Sequence, residues 1–382
     1  MKKKIALRIK EMKCLTIFFI SKVISYILPR LDVWLISERG HEARDNAFIF
    51  FEYLQKEHPE INAKYIISYD SNDVERFNDK IKLVRFGSFR HYLLLCRSHY
   101  LISTHIMGFT PWKEFFSSLD RRLNVFAKQK KIFLQHGITK DYLPILKNEN
   151  VHLDLFCCGA KGEYEYIRKN FGYADGVVQY TGFCRYDKLF NTQTKRQILV
   201  MPTWRMYIDQ YNFTETIYYK QWSNFLTNSE LGKILKANNY QLVFYPHFEV
   251  QKHLKIFNCL NLADNVIVAD FHFDVQTLLK ESLLLITDYS SVYFDFAYMK
   301  KPVILFQFDE TDFRMNHYQK GYFDESSLGV KVYDIETLFT ELKFQIKMGM
   351  KQYDVHRKFI DSFFEKKDNL NCERTFFSIK NL

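Results

Sequence analysis

Residues 282–309 read SLLLITDYSSVYFDFAYMKKPVILFQFD. The apolar run 283–286 is short enough for a strand buried on both faces. Thr287, Asp288, Ser290 and Ser291 follow at once, and then a helical segment places Val292, Phe296 and Met299 on one face. Pro302 stops that helix, and 303–306 reads as the next strand. Strand, hydroxyl-rich turn, helix and parallel strand make a βαβ unit, in which ligands lie at the carboxyl ends of the strands. Free N–H groups and the positive dipole end at the helix start favour an anion there, most often phosphate. The plainer reading makes Ser290 or Ser291 a helix cap. One hydroxyl suffices for a cap, however, and Phe294 at the third helical position leaves no capping box. Four polar groups in one turn therefore favour ligand binding. Asp295, one turn beyond Ser291, either holds that serine or faces solvent, and Asp288 precedes the hinge of the turn without an assigned role.

Outward from this stretch the same alternation recurs. Strands are expected at 33–37, 65–68, 82–86, 100–103, 132–134, 153–157 and 177–181, with helices at 46–56, 89–97 and 161–170 between them. The chain turns polar near Asn191 (NTQTKR), and the pattern restarts with strands at 198–201, 242–245, 266–268, 283–286, 303–306 and 330–333. Helices are expected at 275–281, 292–299, 336–348 and 353–366, the last possibly crossing back to the first domain. Alternating β and α segments predict mostly parallel sheets covered on both faces. The expected organisation is a segment 1–30, a Rossmann-like domain 31–193 and a second one 194–382.

Residues 1–30 join the basic start MKKKIALRIKEMK to CLTIFFISKVISYILPR. The apolar part is about 16 residues, short of the roughly 20 a membrane span needs. No small-residue cleavage site follows it. Leu15, Phe18, Phe19, Val23, Tyr26 and Ile27 behind a basic start suit an amphipathic helix lying in an anionic leaflet. The competing reading buries the same helix against the N-terminal domain.

Composition bounds the rest. The chain has 382 residues, 47% hydrophobic and 26% charged, which makes it core-forming rather than disordered. Its net charge of +10 suits an anionic substrate or membrane face. No nucleic-acid motif accompanies that charge, so nucleic acid is not expected as a partner. The seven cysteines (14, 96, 157, 158, 184, 259, 372) are scattered without metal spacing, so a reduced cytoplasmic protein without disulfides or structural zinc is expected.

Three further strand ends carry chemistry-bearing residues. His136 and Gly137 follow the 132–134 strand, where glycine allows close backbone approach and histidine can take a proton at neutral pH. A lone histidine there is more often a hydrogen-bonded structural one. Arg205 in Pro202-Thr203-Trp204-Arg205 can grip phosphate with two donors or make a surface salt bridge. His247 in Tyr245-Pro246-His247 ends another strand in the same way. The other histidines (41, 91, 99, 105, 152, 253, 272, 317) show no metal spacing, and there is no glycine-rich phosphate loop or paired DxD carboxylate. Metal-free catalysis without a cofactor is the economical reading.

TDYSSVYFDFAYMKKPVILF, together with LQHGITK at 134–140, PTWR at 202–205 and YPHF at 245–248, resembles the signature of the CDP-glycerol glycerophosphotransferase family, the teichoic-acid primases and polymerases. The order and spacing of the four motifs carry the resemblance, which runs from about residue 30 to 325. It implies two Rossmann-like domains facing a cleft, the GT-B arrangement. It also implies that His136 is the general base within HG-x-x-K, matched at Gly137 and Lys140. Arg205 is placed at the donor or acceptor phosphates, and His247 on the diphosphate. Thr287, Ser290 and Ser291 would cradle that diphosphate. Leu134, Gln135, Ile138 and Thr139 depart from the common pattern, which is expected to bear on acceptor specificity more than on chemistry.

The implied reaction moves glycerol phosphate or ribitol phosphate from a CDP-activated donor to an acceptor hydroxyl and releases CMP. The product would be teichoic acid or a phosphate-containing capsular polysaccharide. The expected partners are CDP-glycerol or CDP-ribitol, a membrane-linked polyol-phosphate or glycan acceptor, and the anionic cytoplasmic face of the membrane. The nearest rival is a sugar-nucleotide glycosyltransferase of the same fold. A non-catalytic scaffold that binds anionic polymer is the rival from another class.

Overall fold

Short apolar runs separated by amphipathic segments build two all-parallel sheets in the computed structural model, which describes residues 2–190, 192–316 and 319–382. Asn191, at the expected junction, and His317 lie outside the described residues. One compact unit comprises Met1–Ile138, Pro144–Lys188 and Lys366–Leu382, and the other Thr139–Leu143 and Leu189–Glu365.

The first unit holds β1 (Trp34–Ser37), β2 (Ala63–Ile67), β3 (Leu83–Arg85), β4 (Tyr100–Ser103), β5 (Lys130–Phe133), β6 (Leu155–Cys158) and β7 (Val178–Tyr180). Their order in the sheet is β3-β2-β1-β4-β5-β6-β7. The period-2 alternation of a strand sends Trp34 and Ile36 to one face and Val33 and Leu35 to the other. Phe50, Phe51 and Leu54 of the helix Asn46–Glu57 cover the first face, and Tyr92, Leu94 and Leu95 of Phe89–Arg97 cover the second. Each such fully buried side chain contributes about 1.5–3 kcal/mol. Strand order reverses between β1 and β4, so a topological switch point opens at their carboxyl ends.

The second unit holds β8 (Gln197–Met201), β9 (Gln241–Phe244), β10 (Val266–Val268), β11 (Leu284–Thr287), β12 (Val303–Phe306) and β13 (Val330–Val332). Their order is β10-β9-β8-β11-β12-β13, with the reversal between β8 and β11. The stretch that opened the sequence analysis is thus β11, its exit turn, the helix Val292–Tyr298 and β12. That helix is buried from Tyr293 to Tyr298, not along one face as its spacing predicts. The asymmetry is lost because Phe363 stacks on Phe294 and Phe364 packs edge-on against Tyr298, from the side away from the sheet.

The closing element also differs from expectation. The helix Asp354–Phe363 stays in the second unit, and a further helix, Asn371–Lys380, packs on the first. Asp187 accepts the first amides of that helix, Asn371 N–H at 3.0 Å and Cys372 N–H at 2.8 Å, and Phe376 stacks on Trp34. All seven cysteines are free thiols, six of them buried and Cys259 exposed.

The N-terminal segment forms the helix Lys2–Ile27. One face buries Cys14, Phe18 and Ser21 on the first unit, with Phe18 edge-on to Phe116 at 5.2 Å. The other face exposes Met12, Leu15, Phe19, Val23, Tyr26 and Ile27. Phe18, expected among the membrane-facing residues, therefore belongs to the core. No helix among the described residues is long and apolar enough to cross a membrane.

Candidate active site

His136 leaves β5 through an unusual backbone. Gln135 has φ +58°, a left-handed conformation that costs a non-glycine residue about 1–3 kcal/mol. The surroundings enforce it. The Asn46 amide donates to the carbonyls of Leu134 (3.3 Å) and Gln135 (2.7 Å). The Gln135 amide donates to the Cys157 carbonyl (2.7 Å) and to Glu163 (3.1 Å). His136 is thereby turned outward and exposed, with Gly137 half-buried beside it. Its Nδ1 lies 3.3 Å from the Thr104 carbonyl. A carbonyl only accepts, so the proton sits on Nδ1 and the Nε2 lone pair is left for chemistry. Protein packed along the inner side of the ring, aided by Arg39, Arg185 and Lys113, pushes its pKa down to about 4, overriding the bond to Thr104. The imidazole is therefore neutral at physiological pH. Its departures from the common motif, Leu134, Gln135, Ile138 and Thr139, are all buried. They shape the exit of β5 from inside the fold.

Lys140, expected on substrate, is buried at 7% exposure. Its ammonium sits 2.8 Å from Glu325 and 3.1 Å from Asp141. Arg314 joins the same carboxylates, 2.8 Å from Asp141. Burial alone would raise the Glu325 pKa, but Lys140, Arg314 and Lys331 overcome it and hold the carboxyl at about 2. Lys140 thus locks the 139–143 segment into the second unit.

At the β8/β11 switch point the sequence places its polar groups together and then spends most of them on the protein. Arg205 is wholly buried at 0% exposure. Its Nε and Nη2 donate to Asp309 at 2.8 and 2.9 Å, and its Nη1 donates to the Thr203 carbonyl and lies 2.9 Å from Asp288. Burial works against its charge, yet Asp288 and Asp309 hold it protonated more firmly than usual. Tyr289, Phe313 and Tyr218 pack around the guanidinium. Arg205 therefore pins the exits of β8, β11 and β12 to one another, where a phosphate-gripping role was expected. Asp288, unassigned by sequence, is its buried counter-ion and accepts from the Thr203 and Tyr289 amides at 2.8 and 2.6 Å. The Thr287 hydroxyl donates to the Met201 carbonyl at 2.6 Å and is committed there. Asp295 is buried, which removes the solvent-facing alternative.

Ser290 and Ser291 remain half-buried at the turn. The Ser290 hydroxyl accepts weakly from the Val292 amide at 3.4 Å, and the Ser291 side chain makes no cap bond. His247 is exposed at the exit of β9, its Nδ1 accepting from the Glu249 amide at 3.2 Å, and its ring lies 6.4 Å from Trp204. The first unit brings His136 beside an unforeseen His105, and the second brings Arg205, Asp288, Thr287, Ser290 and Ser291 to one strand edge. Sequence reasoning passed over His105, Asn46, Glu163 and Asp309. Asp309 alone carried a signal, as the first polar acid after the β12 run.

The model of the CDP-glycerol:poly(glycerophosphate) glycerophosphotransferase family matches residues 18–380. The chain belongs to this family. Among members with curated descriptions, the minor teichoic acid biosynthesis protein GgaB of Bacillus subtilis (strain 168) is 33% identical over 374 residues, 93% of this chain. The present glycerophosphotransferase-family chain spans 40% of that relative's length. A teichoic acid poly(glycerol phosphate) polymerase of Bacillus spizizenii (strain ATCC 23059 / NRRL B-14472 / W23) is 24% identical over 352 residues, covering 85% of this chain and 86% of the polymerase. The structure of the wall teichoic acid polymerase TagF, H548A, superposes with a TM-score of 0.70 at 18% identity, covering 99% of this chain and 98% of that one. At that identity the likeness shows the shared fold.

Proposed function

We propose that this glycerophosphotransferase-family chain transfers glycerol phosphate or ribitol phosphate from a CDP-activated donor to an acceptor hydroxyl, in the synthesis of teichoic acid or a phosphate-containing capsular polysaccharide. One observation carries the reading: His136 is held neutral, Nδ1-anchored and outward-facing at the carboxyl edge of β5. The acceptor O–H gives its proton to Nε2 as its oxygen bonds to the phosphorus bearing the polyol. The P–O bond to CMP breaks, and a phosphodiester forms. Phosphoryl transfer needs positioning and electrostatic stabilisation more than covalent help. The hydroxyls of Ser290 and Ser291, with the amides at the helix start, are the donor-diphosphate contacts in this reading. His247 meets the leaving phosphate. Arg205, Asp288 and Thr287 hold that edge in shape from behind.

A base with a pKa near 4 is weak on its own. An anionic substrate favours the imidazolium and moves that pKa towards neutrality, so substrate binding itself activates the base. The acceptor is a membrane-linked polyol phosphate or glycan in this reading. The protein lies on the anionic membrane face through Met12, Leu15, Phe19 and Val23, while Phe18 stays in the core.

Two experiments test the proposal. CMP release is measured with CDP-glycerol, CDP-ribitol and a panel of sugar nucleotides. CMP and a phosphodiester product are expected from a CDP-polyol, whereas a glycoside made from a sugar nucleotide overturns the reading. Leu15→Ser with Phe19→Ser should release the protein from anionic vesicles with unchanged thermal unfolding. Persistent binding by that double variant would remove the stripe from membrane attachment.

A further inference from the structure

The residue that sequence analysis set aside, His105, lies face to face with His136. The ring centroids are 4.2 Å apart and the planes differ by 6°. One residue addresses both rings. The Thr104 carbonyl takes the His136 Nδ1–H, and the Thr104 hydroxyl lies 2.9 Å from His105 Nδ1. With that hydroxyl as donor, His105 carries its proton on Nε2 and is neutral like its neighbour.

The loop that presents His105 is closed on itself. The Gly108 amide donates to the His105 carbonyl at 2.9 Å, and the Thr110 hydroxyl donates to the Met107 carbonyl at 2.7 Å. A Cβ on Gly108 would lie 2.1 Å from the Glu38 carbonyl oxygen, so the close packing there admits only glycine. Met107 holds φ +54° with its side chain buried. The Phe109 carbonyl lies 2.7 Å from Nε2 of the buried His91. Such a loop fixes the height and tilt of the His105 ring at the β1/β4 switch point.

We propose that His105 is a positioning residue for proton transfer at His136: its flat neutral face fixes the plane of the His136 ring, and so the direction of the Nε2 lone pair. This rests on the reading of His136 as the base. Two facing rings at this distance share at most one proton, because two imidazolium charges would repel strongly. The charged groups that act on the pair are Arg39, Lys113 and, on His136, Arg185, all positive. Burial and these neighbours keep His105 neutral, so the proton taken from the acceptor resides on His136 alone. A neutral π face beneath an imidazolium then stabilises it without competing for the proton.

The test uses full-length protein carrying His105→Ala, His105→Phe or His136→Ala, assayed by CMP release from CDP-glycerol over a pH series. His105→Ala should lower kcat by about 10- to 100-fold with KM for CDP-glycerol little changed, since misplacing a reactive group by an ångström costs that order. Its acid limb should move to lower pH, because the His136 imidazolium loses the π face that stabilises it. His105→Phe, which keeps a flat face and removes both nitrogens, should recover most of kcat. Nitrogen NMR of the His136 ring should show the Nδ1–H tautomer in the wild type and in His105→Phe, and a tautomer mixture in His105→Ala. Wild-type kcat and acid limb in His105→Ala overturn the proposal. So does a His105→Phe variant as impaired as His105→Ala, because a ring nitrogen would then be acting directly. If His105→Ala does not fold, the kcat and NMR tautomer of His105→Phe decide alone. An active His136→Ala variant fails the base reading separately.

Discussion

At the β1/β4 edge the Ser103 hydroxyl donates across the switch point to the Glu38 carbonyl at 3.0 Å, and at the β8/β11 edge Thr287 does the same to Met201 at 2.6 Å. The two sheets thus close the same topological gap with the same device. What they set upon it differs. The first unit's edge carries neutral rings, His105 and His136, turned out of the fold. The second carries a wholly buried cation between two buried carboxylates, with Ser290 and Ser291 half-buried and His247 exposed around it. A buried ion cluster costs desolvation but fixes geometry, whereas an outward neutral imidazole costs little and keeps its lone pair available. Motif residues therefore divide into those that turn outward and those that hold the backbone from within, and spacing alone does not say which is which.

The comparison breaks most visibly at Arg205. Arg205→Met leaves Asp288 and Asp309 buried without a counter-charge, so a stability loss of about 3–5 kcal/mol is expected in denaturant unfolding. A variant that unfolds at the wild-type midpoint would mean the cluster does not organise this edge. Arg205→Lys should recover only part of the loss, because an ammonium lacks the planar fork that reaches both acids.

On the first edge the order of effects reverses. His136→Ala should cost turnover about 100-fold or more, with donor affinity nearly intact and unfolding unchanged. Near-wild-type turnover would remove His136 from the chemistry.

Ser291→Ala should weaken CDP-polyol binding by roughly 10- to 150-fold, the equivalent of one hydrogen bond of about 1.5–3 kcal/mol to a charged group. Since this hydroxyl caps nothing, its loss should leave stability alone. Lower stability with unaltered donor affinity would return Ser291 to a structural role.

The smallest effect is in the pH profile. His136 with its pKa pushed down to about 4 is the free base above that value and loses the base form as pH falls through it. The acid limb of kcat/KM, which reports the free enzyme, should fall near pH 4. The limb of kcat should lie higher, because the negative charge of bound substrate favours the imidazolium. Coincident limbs would mean that bound substrate does not act on His136.

The sheets were legible because buried parallel strands write themselves as short unbroken apolar runs, as at 100–103 and 303–306. The helix Lys113–Leu123 was not, since it buries only Phe116 and Asp120 among mostly polar neighbours. The position of His136, just past a strand and before a glycine, was legible. The left-handed turn at Gln135 was not, because it is imposed by Asn46, Cys157 and Glu163 from elsewhere in the chain. The burial of Arg205 and Lys140 was not legible, since a sequence names a cation without naming what encloses it. His105 needed β4 and β5 to be neighbours, which only strand order supplies.

The distribution of thiols gives the chain a built-in stopwatch. Cys259 alone is exposed, Cys14 and Cys372 lie on the two terminal helices, and Cys157 and Cys158 line the interior strand β6. A thiol reagent reaches a buried sulfur only when the structure around it opens, so labelling rates rank local openings. Cys259 should react at once, Cys14 and Cys372 at the rate their helices lift, and the β6 pair only when the sheet itself parts. A β6 thiol that labels before Cys14 would mean the sheet yields before its own covering.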